Sequence, residues 1–268
     1  MDESAATTPG TSLLLWLVAA AVALLTAHVC LAWVRAAQPG PVQQARWKAV
    51  TWACASAGSG LAGTMVLALT AEELAFPIGY PLLWVLALWI GPMLASAPAF
   101  AALVRSTSVG ACVGAGAWLA AVAGATSAGW LWAAGLRPGV VWQPEYIAAM
   151  AFVLLLGCSI ALLVAFGEAA RKGQRRRLWR LCGAMLLATS LLVGEQMLLL
   201  GAALPVQMSS LHQDAVSGYV LSLIGGVLLP MGMTAMAFDL ELRRRLRWRR
   251  SSHKADAGTP RPRRHRRR

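Results

Sequence analysis

Apolar residues fill this chain in long runs, and polar residues fall between them. A helix rises about 1.5 Å per residue, so about 20 apolar residues cross roughly 30 Å of hydrocarbon. Seven runs reach that length, at approximately 12–34, 48–70, 82–104, 108–134, 147–167, 181–203 and 217–237. Charge, Pro or Gly bounds each of them. A helix satisfies its backbone hydrogen bonds within itself, as the lipid interior requires. The pattern predicts an all-α membrane protein, a seven-transmembrane helix bundle over residues 12–240. Residues 1–11 form an extracytoplasmic N-terminal tail, and residues 241–268 a basic cytoplasmic tail that is largely disordered.

Composition agrees. Of 268 residues, 58% are apolar and 13% charged, against about 25% charged in soluble domains. So little charge does not cover a globular surface in water. The first residues, Met1-Asp2-Glu3-Ser4, are acidic where a signal peptide is basic, and the first apolar run is longer than a signal core. It is expected to be a retained helix. Cys30, Cys54, Cys112, Cys158 and Cys182 all fall inside apolar runs without a Cys-x-x-Cys spacing, which predicts small buried residues and no disulfide or zinc site.

Charge gives the direction of the helices. With the N-terminus outside, Arg35, Arg46, Lys48, Arg105 and the cluster from Arg171 to Arg180 all fall inside. That cluster includes Arg175, Arg176 and Arg177. The tail, with Arg243, Arg244 and Arg245, joins them. Of 24 Lys and Arg residues only Arg137 then lies outside, so the positive-inside rule selects N-out and C-in, in a plasma membrane. The net charge of +13 is accounted for by this topology and by anionic headgroups rather than by nucleic acid.

The three tyrosines of the chain, Tyr80, Tyr146 and Tyr219, each stand at the outer start of an odd-numbered helix, 66 and 73 residues apart. An aromatic belt alone would place tyrosines at that interface. The matched positions predict more, namely one helix followed by three repeated helix pairs. Helices 2 and 4 are rich in small residues, from Ala53 to Gly63 and from Gly110 to Gly129. Small residues allow close backbone approach, so the even helices are expected to be the inner ones.

This organisation resembles the MHYT family of bacterial integral-membrane sensor domains. The resemblance rests on Gly60-Leu61-Ala62-Gly63-Thr64-Met65 followed by Phe76-Pro77-Ile78-Gly79-Tyr80, and more loosely on Val141-Trp142-Gln143-Pro144-Glu145-Tyr146. It implies seven helices in a threefold helix-pair repeat, and a metal, copper, held by Met and His to sense oxygen, carbon monoxide or nitric oxide. No Met-His-Tyr-Thr motif stands in this chain, and the family's histidine positions fall at Met65, Thr126 and Glu195. The chain therefore reads as a degenerate relative. About 30 residues follow the seventh run, so no output domain is expected and a signal would pass to a cytoplasmic partner.

Glu195 is the strongest candidate for chemistry, because it is the one acidic residue deep in a span. Charge there costs about 2.5–3.5 kcal/mol on insertion scales, which marks such residues as functional. The plainer alternative is an interhelical hydrogen bond worth about 0.6 kcal/mol. Gln196 and Met197 flank it. Met65, Thr126 and Glu195 lie roughly 7–12 Å below the outer ends of parallel helices, a common depth for one cavity. As a copper set they are poor, since only Met65 is soft. His28 is a further candidate ligand, although Cys30 points about 200° away from it on the helix. His212 and Asp214 share an outer loop, where they could gate the cavity. Trp130, Trp132 and Trp142 read as interface anchors.

No nucleophile with a base, no phosphate loop and no zinc helix is present, so no enzyme is expected. The leading expectation is a non-enzymatic MHYT-like sensor or signalling protein. The alternative is a small proton-coupled transporter, or an assembly or scaffold protein of a membrane complex.

Overall fold

Hydropathy and helix length together give the observed elements. The structure, a computed structural model, describes residues 12–38, 43–72, 78–137, 139–167, 176–203, 209–212 and 215–242. Seven helices are long and apolar enough to cross a membrane, which makes this a multi-pass helical membrane protein. They are α1 (Leu13–Ala37), α2 (Gln43–Ala71), α3 (Leu82–Arg105), α4 (Val109–Ala133), α5 (Pro144–Phe166), α6 (Arg176–Gly201) and α7 (Gly218–Leu242).

Two helices depart from the uniform runs that hydropathy predicts. In α3 the helix breaks at Ser96, whose hydroxyl donates to the Met93 carbonyl at 3.0 Å. Pro92 and Pro98 flank the break and lack the N–H groups that would continue the ladder. A carbonyl beside it, that of Ala95, accepts from the Trp118 indole of α4 at 2.6 Å. In α7 the turn Ile224–Leu228 is a π-helix. Gly225 and Gly226 loosen that turn, and Pro230 cannot donate back to Gly226. At its start α6 begins at Arg176, earlier than the apolar run, so Arg177 and Arg180 belong to the helix and not to a loop.

The seven helices are not equivalent in the bundle. Burial covers 83% of the most apolar stretch of α2, against 50% for α6, 44% for α4, 39% for α1 and 22% for both α3 and α7. Around α2 stand α1, α3, α4, α6 and α7, while α5 packs on α4 and α6. Glycine makes this density possible. A Cβ on Gly58 would lie 2.5 Å from the Met93 backbone nitrogen of α3, and one on Gly116 would lie 2.6 Å from Ser159 Cα of α5. Dispersion between closely approaching backbones is a principal force holding helices together in lipid. Cys30, Cys54, Cys112 and Cys158 are buried and Cys182 half-buried, all as free thiols.

Three short antiparallel ladders tie one end of the bundle together. They use β1 (Gly79–Tyr80), β2 (Leu136–Arg137), β3 (Val141–Trp142), β4 (Ala202–Ala203), β5 (Ser209–Ser210) and β6 (Val216–Ser217). β1 pairs with β6, β2 with β5 and β3 with β4. Every ladder therefore takes one strand from the α6–α7 connection and its partner from the α2–α3 or α4–α5 connection. Leu211 N donates to Gly135 O at 3.1 Å, and Gly135 has φ +58°, a conformation that favours glycine. These pairings place the C-terminal ends of α2, α4 and α6 together. At the opposite end stand Arg35, Arg105, Arg177 and Arg180.

Candidate functional site

The site begins with the one carboxyl that is buried in the core among the described residues. Glu195 lies on α6, six residues before its end, and is 3% exposed. Its Oε1 accepts from Thr64 Oγ1 of α2 at 2.8 Å. Its Oε2 is buried and has no hydrogen-bond partner among the described residues. The Thr64 hydroxyl has other acceptors within reach, the Gly60 carbonyl at 2.9 Å and the Leu61 carbonyl at 3.2 Å. A hydroxyl carries a single proton, so these three acceptors compete for it. Ionised, Glu195 takes the Thr64 proton. Protonated, Glu195 becomes the donor, and Thr64 is released to bond its own backbone. The pair thus has two hydrogen-bonding arrangements at nearly the same coordinates, and Oε2 has no partner among the described residues in either.

Neighbouring residues of α2 shape its surroundings. Gly63 meets Gly225 in the π-helical turn of α7, where a Cβ on Gly225 would lie 3.2 Å from the Gly63 carbonyl oxygen. Thr64 and Gly225 both lie seven residues from the ladder-bearing ends of their helices, about 10 Å deep. Ser56, Gly60 and Thr64 recur every fourth residue and so share one face of α2. Along that face Thr26 of α1 packs against Gly60 and donates to Met233 Sδ of α7 at 3.2 Å, while Ser56 approaches Met236 Sδ at 3.5 Å. Hydroxyls are thus threaded along the most buried helix of the bundle.

The residues singled out from the sequence meet different fates. Met65 is completely buried on α2. Thr126 is buried on α4, and its hydroxyl donates to the Val122 carbonyl of its own helix at 2.7 Å. The hydrogen bond of Glu195 goes to Thr64, not to either of them. Gln196 and Met197 are half-buried beside it on α6. His28 is exposed on the outside of α1, because the neighbouring positions Thr26, Ala27, Val29 and Cys30 take up the inward face. Of the basic surface residues, Arg177 is exposed on α6. Arg175, Arg243, Arg244, Arg245 and Asp214 lie outside the described residues, and Arg176 is described only as helix.

The three tyrosines occupy one end of the bundle in three environments. Tyr80 is buried edge-on against Trp130, with ring centroids 5.1 Å apart. Tyr146 is half-buried, and Tyr219 is 73% exposed. Burial pushes the Tyr80 phenol well above its ordinary range. Trp130 is corrected from interface anchor to core residue. It is fully buried, and its ring also meets Trp89 edge-on at 6.3 Å. Trp132 and Trp142 remain at the surface. His212 lies against Gly135 beside the ladders.

The donor set decides against copper. Copper(I) wants thioether, thiolate or imidazole. Of the three positions, one is a thioether, one a hydroxyl committed to its own helix and one a carboxyl bonded to Thr64. The imidazole of His28 lies on the outside of the bundle, and no group of three His, Cys, Asp or Glu among the described residues could hold a metal.

Sequence reading missed Thr64, although it stands in the quoted stretch Gly60–Met65 as its only hydroxyl. It also missed Ser56, which shares the four-residue spacing of Gly60 and Thr64 on α2, and Thr26, whose contact with Gly60 becomes visible only when α1 and α2 are packed together.

Fold and site together define a multi-pass helical membrane protein with one carboxyl in its core, hydrogen-bonded between two inner helices. No protein-family model, no curated protein and no solved structure matches the chain.

Proposed function

We propose that this is a non-enzymatic sensor or signalling protein of the plasma membrane, built on an MHYT-like plan of one helix and three helix pairs. Its N-terminus is outside and its C-terminus in the cytoplasm. What carries the reading is the Glu195–Thr64 pair, a buried carboxyl with one oxygen bonded across helices and the other free among the described residues. Two arrangements of one hydrogen bond, set by one proton, form a bistable element of the kind a switch needs. Protonation state then determines whether α6 is tied to α2 by a charge-assisted bond or by a neutral one, a difference of about twofold in bond strength. The adjacent Gly63–Gly225 crossing, with its π-turn, is where a shift of α2 would reach α7. Copper plays no part in this scheme, because the donor set does not fit it. A cytoplasmic partner receives the output.

Infrared difference spectroscopy on the full chain in lipid nanodiscs tests this. A carboxylic C=O stretch that titrates with pH, vanishes in Glu195→Gln and shifts in Thr64→Val is expected. Absence of any titrating band assignable to Glu195 would reduce the pair to a static structural bond. Metal analysis of the same wild-type and Glu195→Gln samples is expected to find no stoichiometric copper. About one equivalent in wild type, lowered in the variant, would restore the chemistry of the family.

The hydroxyl series Ser56, Thr26 and Thr64 favours a second reading, a small proton-coupled carrier, since it lines a path along α2 that ends at Glu195. Proton uptake into proteoliposomes, lost in Glu195→Gln, would select that reading over the sensor.

A further inference from the structure

At the end of the bundle opposite the ladders, a cavity of about 500 Å³ opens between α1, α3, α5 and α6. Arg35, Gln38, Arg105, Ser106, Thr107 and Arg180 supply its polar lining, and no acidic side chain among the described residues lines it. Arg35 Nε and Nη2 are buried and have no hydrogen-bond partner among the described residues. The Arg35 guanidinium is held over the Phe166 ring, 5.5 Å from its centroid. Gln38 is anchored by its Nε2, which donates to the Leu103 carbonyl at 3.4 Å. The charge of Arg180 acts on Arg35 across the cavity.

Buried guanidinium N–H groups left without a partner cost desolvation energy, which an anion in the cavity would offset. A guanidinium with two idle N–H directions matches two oxygens of one phosphate, which it binds in a bidentate fork. The Thr107 hydroxyl adds a donor from the α3–α4 connection, beside the Ser106 hydroxyl, which donates to Ser108 Oγ at 3.3 Å. The cavity lies at the helix ends, since Arg105 and Phe166 close α3 and α5 and Arg35 is two residues from the end of α1. That is headgroup depth. Its volume falls within the range of small-molecule sites, about 300–1,000 Å³.

We propose that this cavity is a phosphate-binding site formed by Arg35, Arg105 and Arg180. The phosphate belongs either to an anionic phospholipid headgroup or to a soluble phosphate. The inference does not depend on Glu195. Glu168, the acidic residue of the connection 168–175, lies outside the described residues and enters the test.

Calorimetric titration of the full chain, delipidated in neutral detergent, makes the measurement. The probes are dioctanoyl phosphatidylglycerol, dioctanoyl phosphatidylcholine and inorganic phosphate. Saturable binding of phosphatidylglycerol is expected, weakened about tenfold or more in Arg35→Gln and in Arg105→Gln. Lys48→Gln, an exposed charge outside the cavity, is expected to bind as wild type does. Phosphatidylglycerol binding that inorganic phosphate does not displace assigns the site to a lipid headgroup. Displacement by inorganic phosphate assigns it to a soluble anion. Circular dichroism checks helix content, and if Arg35→Gln does not fold, the exposed Arg105 decides. Equal binding by wild type and the arginine variants would overturn the proposal. So would failure of both anionic probes to saturate, or binding that appears only in Glu168→Gln, which would show that this carboxylate already satisfies the arginines.

Discussion

At one end of the bundle the helix connections are joined to one another by backbone hydrogen bonds, and a buried Tyr80–Trp130 pair lies beneath them. At the other end, arginines from α1, α3 and α6 converge on a cavity with no carboxylate from the described residues in its lining. Both ends hold buried side-chain groups with no hydrogen-bond partner among the described residues, Trp130 Nε1 and Glu72 Oε1 at the first and Arg35 Nε and Nη2 at the second, but only the second turns charged donors toward a cavity. The difference is in where each end finds its partners. A backbone ladder needs only chain from the same protein, and it fixes geometry. The open N–H groups of the Arg35 guanidinium are matched by an anion from outside, and that makes this end responsive to composition. In a helical bundle whose interior is held by close packing, the two ends divide rigidity and recognition between them.

Four measurements test this contrast. Trp130→Ala should have the largest effect, because it empties the aromatic core under the ladders. A loss of about 3 kcal/mol or more is expected in reversible unfolding from detergent micelles, whereas Trp132→Ala, on the exposed surface, should cost much less. Equal losses would mean that the ladder end is not a packed cap. Next comes Gly79→Ala. Its Cβ would run into the His212 carbonyl across the β1–β6 ladder, for a loss of about 1–3 kcal/mol as overpacking. The matched change Gly110→Ala, at the arginine end, has open space around it and should be neutral or stabilise by up to about 1 kcal/mol through helix propensity.

The third effect is on pH dependence. Burial keeps the Tyr80 phenol protonated beyond the ordinary value of about 10. The folded chain then holds a proton that the unfolded chain gives up, so this contribution is full below about pH 10 and declines as pH rises further. Thermal melting at stepped alkaline pH should show a steeper decline in wild type than in Tyr80→Phe. Parallel curves would remove Tyr80 from the account. Smallest of all, Arg105→Gln should change stability by no more than about 0.5 kcal/mol, as an exposed charge does, even though it is expected to weaken phosphate binding.

Much of this architecture is legible along the chain. Seven apolar runs give seven helices, because span length and backbone satisfaction are local requirements. The small residues of helix 2 point to the most buried helix for the same reason, since a side chain that is absent is visible in the sequence. Glu195 stands out because its cost in lipid does not depend on what surrounds it. What escaped reading depends on distant partners. The ladders pair dipeptides such as Leu136–Arg137 and Ser209–Ser210, which carry no strand pattern of their own. Thr64 matters only once α6 brings a carboxyl to it. Arg35 reads as one more charge in a basic loop until α3, α5 and α6 enclose it. The break at Ser96 was announced by Pro92 and Pro98, but the strength of the hydropathy signal across residues 82–104 concealed it.

The ladders also order events during biosynthesis. All three borrow a strand from residues 202–217, so the α2–α3 and α4–α5 connections have nothing to pair with while the ribosome is still making the first six helices. That end of the nascent bundle stays open until the α6–α7 connection has been made, and then all three seams close together. A chain halted after Gly201 is expected to be cut at the two earlier connections by protease supplied on that side, where the full-length chain resists. The α6–α7 connection is thus the clasp for the two connections made before it.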